Sequence, residues 1–383
     1  MTRISGEWLK QPNTQSVMRM LTGAGHAAYF VGGCVRNDLL GVAVADVDIA
    51  TDAKPETVIE LTEGAGLRAV PTGIDHGTVT VVADSIPHEV TTFRKDVETD
   101  GRRAIVAYSK SVEEDARRRD FTMNALYADA EGQIIDPLGG LPDLTARRVR
   151  FIDDAGARIR EDYLRILRFF RFHAWYGDVS QGIDPEGLAA CAANLGGLET
   201  LSKERVGAEM LKLLAAPDPA PSVAVMAQSG VLTTILPGAD ARALPVLIHL
   251  EGAQGIAPNP IRRLAALGGE DVDAALRLSK ADARKRTLLR DAATDGASAA
   301  ELGYRIGHTS AMDALLLRAA LLEQPLPDNT VQDVSRGARA TFPISAADLM
   351  PDYSGPALGE RLRMLEARWI DSGFTLSKSD LLA

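Results

Sequence analysis

The sequence predicts an α+β protein, with strands and helices interleaved through residues 1–140 and helices alone over 141–383. Three observations carry that expectation. Segments that alternate β-branched and polar residues, GTVTVVAD and IPHEVTTFR, fall in the first part, and a period of two belongs to a half-buried strand. Beyond Pro137 the composition shifts to Ala, Leu, Glu and Arg at helical spacing. With 383 residues, 46% of them hydrophobic, the chain can bury more than one core.

Taken in order, HAAYFVGG (26–33) reads as a strand entering a tight turn, and NDLLG (37–41) as the start of the next helix. DVDIAT (46–51) reads as a second strand. KPETVIELTEGAG (54–66) reads as a helix, because a proline near its start and glycines at its end bracket it. GTVTVVAD (77–84) and IPHEVTTFR (86–94) form a hairpin around Asp84 and Ser85. Farther on, 161–176, 203–215 and 222–236 are amphipathic and helical, with the proline-bearing stretches APDPAPS (216–222) and APNP (257–260) as joints.

Composition narrows the function classes. The cysteines Cys34 and Cys191 are two and far apart, which disfavours a disulfide framework or a thiolate zinc site and suits a reducing cytoplasm. MTRISGEWLKQPN lacks the apolar stretch of a signal peptide, and no apolar run reaches bilayer length, so a cytoplasmic protein without a membrane partner is expected. The formal net charge of −10 by itself disfavours a polyanionic partner. Arginines are nevertheless concentrated locally: RKDVETDGRR (94–103), RRR (117–119), RRVR (147–150), the series Arg158, Arg160, Arg165, Arg168, Arg171, and KADARKRTLLR (280–290). One such run is an ordinary solvated face; five hint at a phosphate-binding surface.

The chemistry concentrates in GGCVRNDLLGVAVADVDIAT (32–51). Residues i and i+2 of a strand share a face, so Asp46 and Asp48 present carboxylates whose Cα atoms lie about 6–7 Å apart. Such a pair suits Mg²⁺, which takes one or two carboxylates together with substrate phosphates. Glu89, on the alternating strand PHEVTTF, is the candidate third carboxylate for a two-ion site, if a neighbouring antiparallel strand brings it to the same face. An isolated D-x-D is most often a solvent-facing strand edge; the upstream GGCVR changes that balance. Gly32 and Gly33 at a strand-to-helix turn let backbone N–H groups approach an anion, and Arg36 adds a charge-assisted donor.

GGCVRNDLLG followed by DVDIAT resembles the signature of the class II tRNA nucleotidyltransferase and bacterial poly(A) polymerase family. EVTTFRKDVETDGRR, RRDFTMNAL, EDYLRILRFFRF and SKERVGAEMLKLL match further motifs of that family in the expected order, covering residues 29 to about 215. The resemblance implies a polymerase-beta-like nucleotidyltransferase head with a mixed β-sheet (1–140), a helical neck that recognises the base (141–215), and a helical body and tail that bind tRNA (216–383). It implies attack of an RNA 3′-hydroxyl on the α-phosphate of CTP or ATP, with Mg²⁺ held by Asp46, Asp48 and Glu89, the tRNA 3′ end as acceptor, and no DNA partner. Arg119, Asp120 and Asn124 are implied at the ribose and triphosphate, while Arg118 reads as a structural partner of an aspartate, with Phe121 as the apolar anchor. Segment 94–104 is implied to be a flexible loop near the site.

In EDYLRILRFFRF, Asp162 and Arg165 at i and i+3 are expected on one helix face. A carboxylate that only accepts, beside a guanidinium that only donates, complements the amine and ring nitrogen of C or A and mismatches G or U. The resemblance gives these two that role, with Arg168 and Arg171 continuing toward the phosphates. Ala45-Asp46-Val47-Asp48 departs from the Lys-Asp-Phe-Asp strand common in the poly(A) polymerases, which favours CCA addition; an A-adding enzyme, a poly(A) polymerase and a non-catalytic nucleotide- or RNA-binding module remain the alternatives. Asn37 stands where the family commonly has aspartate, and Val42 where a basic residue is frequent.

Overall fold

In a computed structural model the described residues are 2–100 and 103–383; for Thr72, Asp75, 96–100 and 103–106 the description covers the backbone alone. Contacts divide the chain into two compact units, Met1–Glu209 with Pro221–Ile235, and Met210–Ala220 with Leu236–Ala383.

The first unit opens with α1 (Glu7–Lys10) and α2 (Pro12–Gly23), then runs β1 (Ala28–Val31), α3 (Gly33–Leu39), β2 (Asp48–Thr51), α4 (Pro55–Gly64), β3 (Arg68–Gly73), β4 (Thr78–Ala83) and β5 (Ile86–Thr92). It continues through β6 (Arg94–Asp100), β7 (Arg103–Tyr108), α5 (Val112–Arg117), β8 (Tyr127–Ala128), β9 (Ile134–Ile135), α6 (Leu141–Thr145), α7 (Ala155–Glu161), α8 (Leu164–Tyr176) and α9 (Pro185–Ala193). Then come α10 (Lys203–Leu214), whose residues to Glu209 belong to this unit and whose residues from Met210 belong to the second, α11 (Ala220–Gln228) and α12 (Val231–Ile235).

Seven strands form one sheet in the order β3-β4-β5-β2-β1-β8-β9. Among the described residues only β2 and β5 pair in parallel, so the sheet is mixed, as the resemblance implied. The β4–β5 hairpin turns at Asp84 (φ 49°) and Ser85 (φ 66°), two positive-φ residues whose twist matches that of the flanking strands.

Two local expectations are corrected. NDLLG closes α3 instead of starting a helix, because the helix begins at Gly33, immediately after the turn. The backbone of 94–100 and 103–108 pairs as an antiparallel two-stranded ribbon, not a loop, its sequence alternating enough to support a ladder; Gly101 and Arg102 lie outside the described residues.

Phe121 is fully buried and meets Phe151 at 4.9 Å and Phe172 at 5.0 Å between ring centroids, which joins the motif RRDFTMNAL to α8 through one aromatic core.

The second unit carries α13 (Ala243–Ala253), α14 (Pro260–Leu267), α15 (Val272–Ala275), α16 (Lys280–Thr294), α17 (Ala299–Leu321), α18 (Thr330–Arg339), α19 (Gly355–Asp371) and α20 (Lys378–Leu382). Helices α17 and α18 touch backbone to backbone: a Cβ on Gly337 would stand 1.7 Å from the Ala300 carbonyl oxygen, so only glycine fits there. Leu289, Leu302, Leu316 and Val334 fill the core around that contact. No helix among the described residues is long and apolar enough to cross a membrane.

Candidate active site

The parallel pairing of β2 with β5 sets Asp48 opposite Glu89 in register. Registered neighbours in a sheet share a face, about 4.8 Å apart, so two of the three expected carboxylates stand side by side. Glu89 reaches that face through a parallel neighbour, whereas the sequence suggested an antiparallel one. Asp46 is placed differently from expectation: β2 begins at Asp48, and Asp46 lies in the exposed stretch before it. The ladder extends only as far as the Val47 carbonyl, which accepts from the Glu89 N–H at 3.2 Å.

Burial, then the charges of Glu89 and Asp46, push the Asp48 carboxyl up to about 6, against the opposing pull of Arg119 and Arg36. A carboxylate made harder to ionise first by burial and then by two like charges is one whose charged form a divalent cation would favour. Among the described residues no three acidic, His or Cys groups already close into a ligand set. Asp48 and Glu89 side by side, with Asp46 on the stretch before β2, leave an open arrangement that suits a hard cation keeping water and substrate oxygens among its ligands.

Gly32 caps α3 at φ 69°, ψ −115°, and its N–H donates to the Leu126 carbonyl at 3.1 Å. A Cβ there would lie 3.3 Å from the Arg119 guanidinium, so the missing side chain leaves room for that cation against the turn. Gly33 starts the helix beside the guanidinium of Arg36. Arg119 is held by Asp115 (3.2 Å) and the Tyr127 hydroxyl (3.1 Å). Asp115 also takes Arg118 at 2.7 Å, the structural role expected of that arginine.

Arg36, Asn124 and Asp120, all buried, form one hydrogen-bonded chain with the half-buried Arg168. Arg36 donates to Asn124 Oδ1 at 2.5 Å, Asn124 Nδ2 donates to Asp120 at 2.9 Å, and Arg168 Nε donates to Asp120 at 2.8 Å. Arg36 also donates to the Tyr176 hydroxyl at 2.8 Å and stacks on that ring at 4.0 Å. Burial raises the Asp120 carboxyl, but Arg168 and the hydrogen bonds from Asn124 and the Phe121 N–H outweigh it and hold it well below the carboxylate range. Asp120 and Asn124 are therefore committed to internal partners, and bind a ribose only by exchanging them.

The expectation that Asp162 and Arg165 share one helix face is corrected. Asp162 terminates α7 in an extended conformation (φ −154°, ψ 105°), and α8 starts at Leu164. Its carboxylate accepts from the Leu164 N–H at 3.1 Å and from Arg205 on α10 at 2.6 Å. Arg165 instead pairs with Glu161 at 2.5 Å and donates to the carbonyls of Arg158 and Arg118. Arg171 pairs with Glu209 at 2.5 Å and lies 4.5 Å over Phe172. Both Arg205 and Glu209, four residues apart on α10 and so on one helix face, are absent from the residues singled out in the sequence, although both lie in the motif SKERVGAEMLKLL.

In the second unit, the basic run 280–290 is largely spent on structure. Arg286 pairs with Asp273, Lys285 with Asp313, and Arg290 donates to the Ala265 carbonyl. Lys280 and Arg284 are the exposed cations of that run.

Residues 28–150 match the family model described as the Poly A polymerase head domain, and 182–242 that of the probable RNA and SrmB-binding site of polymerase A. The CCA tRNA nucleotidyltransferase 1, mitochondrial, of Mus musculus is 32% identical over 96% of this chain and 88% of its own length. The CCA-adding enzyme of Geobacillus thermodenitrificans is 43% identical over 60% of this chain and 56% of its own. Among solved structures, the Bacillus stearothermophilus CCA-adding enzyme in complex with CTP superimposes with a TM-score of 0.72 at 28% identity, covering 94% of each chain. The Thermotoga maritima CCA-adding enzyme complexed with tRNA shares the fold (TM-score 0.71, 18% identity), covering 100% of this chain and 98% of its own. With the Asp48–Glu89 register, the glycine turn and a near full-length match in agreement, the chain belongs to the class II tRNA nucleotidyltransferase and bacterial poly(A) polymerase family.

Proposed function

We propose that the chain is a template-independent CCA-adding tRNA nucleotidyltransferase, joining C, C and A from CTP and ATP to the tRNA 3′ end and releasing pyrophosphate. The observation that carries the reading is the register of Asp48 with Glu89 beside the Gly32 turn, in a chain matched over nearly its whole length by relatives named for that activity. The family uses divalent metal ions. Two Mg²⁺ held by Asp46, Asp48 and Glu89 fit these hard oxygen donors, and when bound they supply Lewis acidity toward the 3′-hydroxyl and charge neutralisation toward pyrophosphate.

The chain's own residues do the rest. Gly32 and Gly33 keep the turn open to the triphosphate, with Arg119 and Arg36 as the cations nearest it. Asp120 and Asn124 receive the ribose by exchanging their internal partners, and Arg168 and Arg171 serve the phosphates by exchanging Asp120 and Glu209. Asp162 accepts from the exocyclic amine of C or A, and Arg165 donates to the ring nitrogen, so that side chains select the base. The roles divide as head (1–140), base-reading neck (141–215), and body and tail along the tRNA (216–383). Both cysteines are free and buried, which supports a cytoplasmic setting.

The test supplies CTP, ATP, GTP and UTP, singly and together with Mg²⁺, to tRNAs ending before, within and after CC. C, C and A in order is the expected product. Addition of A alone to a CC end assigns an A-adding enzyme, and long A tails on unrelated RNA assign a poly(A) polymerase.

A further inference from the structure

Asn37 occupies a junction between two parts of the site. Its Oδ1 accepts two N–H groups of Arg36, at 3.2 and 2.9 Å, and its Nδ2 donates to the Ala43 carbonyl at 3.1 Å. Its own carbonyl accepts from the Val42 N–H at 2.8 Å. Among the described residues, the hydrogen bonds of residues 42–46 all go to Asn37, and the next tie along the chain is the Val47 carbonyl to the Glu89 N–H. Residues 41–43, 45 and 46 are exposed, so packing adds little restraint.

From these contacts we infer that Asn37 is a positioning residue that fixes the approach of Asp46 to Asp48 and Glu89, and that its amide nitrogen is the group responsible. An aspartate in its place would hold Arg36 as well or better, through a charge-assisted bond. It has no proton for Ala43, and would set a carboxylate oxygen against a carbonyl oxygen. Glu89 and Asp48 are fixed by the sheet; Asp46 is the carboxylate whose placement is left to a loop, and among the described residues Asn37 supplies that loop's one side-chain tether. The inference rests on the reading of the chain as a CCA-adding enzyme, since it concerns the same carboxylates.

The full-length protein and its Asn37→Asp and Asn37→Ala variants test it. Backbone hydrogen exchange of residues 42–48, Mn²⁺ affinity by electron paramagnetic resonance without nucleotide, and steady-state CTP addition to tRNA are the readouts. In both variants exchange of 42–48 rises and Mn²⁺ affinity falls about fivefold, the scale of one net hydrogen bond, while kcat falls and the KM for tRNA stays put. Asn37→Asp decides the case, because it keeps the acceptor for Arg36. Wild-type exchange and Mn²⁺ affinity in Asn37→Asp overturn the inference, even where Asn37→Ala is impaired or fails to fold. A wild-type protein that adds neither C nor A to tRNA defeats the functional reading instead, and leaves the exchange and Mn²⁺ comparison standing by itself.

Discussion

Asp162 is bonded to Arg205, 43 residues away on another helix, at 2.6 Å, and not to Arg165 in its own motif. The pair is about 30% exposed on each side, so its Coulombic worth in stability is small. Its value is positional: Arg205 holds the carboxylate of a residue that sits at a helix break and has no helical backbone to orient it. Arg205→Ala is expected to reduce kcat/KM for CTP and ATP about tenfold and to raise GTP and UTP incorporation, the cost of one charge-assisted hydrogen bond. Arg205→Lys should restore part of the selectivity. Single-nucleotide incorporation assays on a tRNA ending before CC measure both, and unchanged discrimination in Arg205→Ala shows that the pair is only a clamp between helices.

The Asp48–Glu89 register predicts that the two carboxylates fail together. Asp48→Asn or Glu89→Gln each removes a hard anionic donor, and the transition-state charge stabilisation at stake is several kcal/mol, or about a thousandfold in kcat. The double variant should lose little more than either single one, since the groups act on the same charge. Filter binding should show tRNA affinity within about threefold of wild type, because phosphate contacts spread over many residues carry that affinity. Additive losses in the double variant would separate the two residues.

How much of this was legible in the sequence depends on the range of the interaction. The individual strands and the Asp84–Ser85 hairpin follow from local periodicity and turn chemistry, which act over a few residues, while the mixed sheet was what the family resemblance implied. That Glu89 would come beside Asp48 was expected, though through an antiparallel neighbour, whereas the period of two that put Asp46 on the same strand failed because the ladder with β5 ends at Val47. What stayed hidden was long-range and polar. Nothing in the spacing says that Asp162 finds Arg205, that Arg171 finds Glu209, or that Asp120 is spent on Arg168. Each of these follows from which helices pack together, and a local motif contains no record of that.

Asp120 ties stability to acid. Burial disfavours its charge, but Arg168, Asn124 and the Phe121 N–H favour it more, so its folded pKa is depressed. A depressed carboxyl contributes stability that is fully present above the unfolded value of about 3.9 and is lost as pH falls below it. Urea unfolding should therefore give a flat contribution from neutral pH down to about pH 5 and a loss beneath about pH 4. Asp120→Asn should flatten that acid limb and cost on the order of 3 kcal/mol at pH 7, the low end for breaking a buried pair, since Arg168 is a third exposed. An acid limb as steep in Asp120→Asn as in wild type would assign the effect to Asp115 and Asp143, whose pKa values are also depressed.

In the second unit, Glu251 stands between two buried arginines. Its Oε1 accepts from Arg262 at 2.7 Å and its Oε2 from Arg263 at 2.7 Å, and all three side chains are 1–2% exposed. Arg262 reaches a second carboxylate, Asp313, at 2.5 Å. Among the described residues Arg263 has no second carboxylate; its other bonds go to the carbonyls of Leu214, Ala216 and Pro217. Neutralising Glu251 therefore strands Arg263 more than Arg262. Glu251→Gln is expected to cost on the order of 3–5 kcal/mol, the range for removing one partner of a buried pair. Adding Arg263→Met should recover part of that loss, because an uncompensated charge is then replaced by an apolar side chain of similar length. The alternative rescue, Arg262→Met on Glu251→Gln, should recover less, since Arg262 keeps Asp313. Chemical denaturation of the four proteins gives the comparison, and equal rescue by the two methionines would show that Asp313 does not neutralise Arg262.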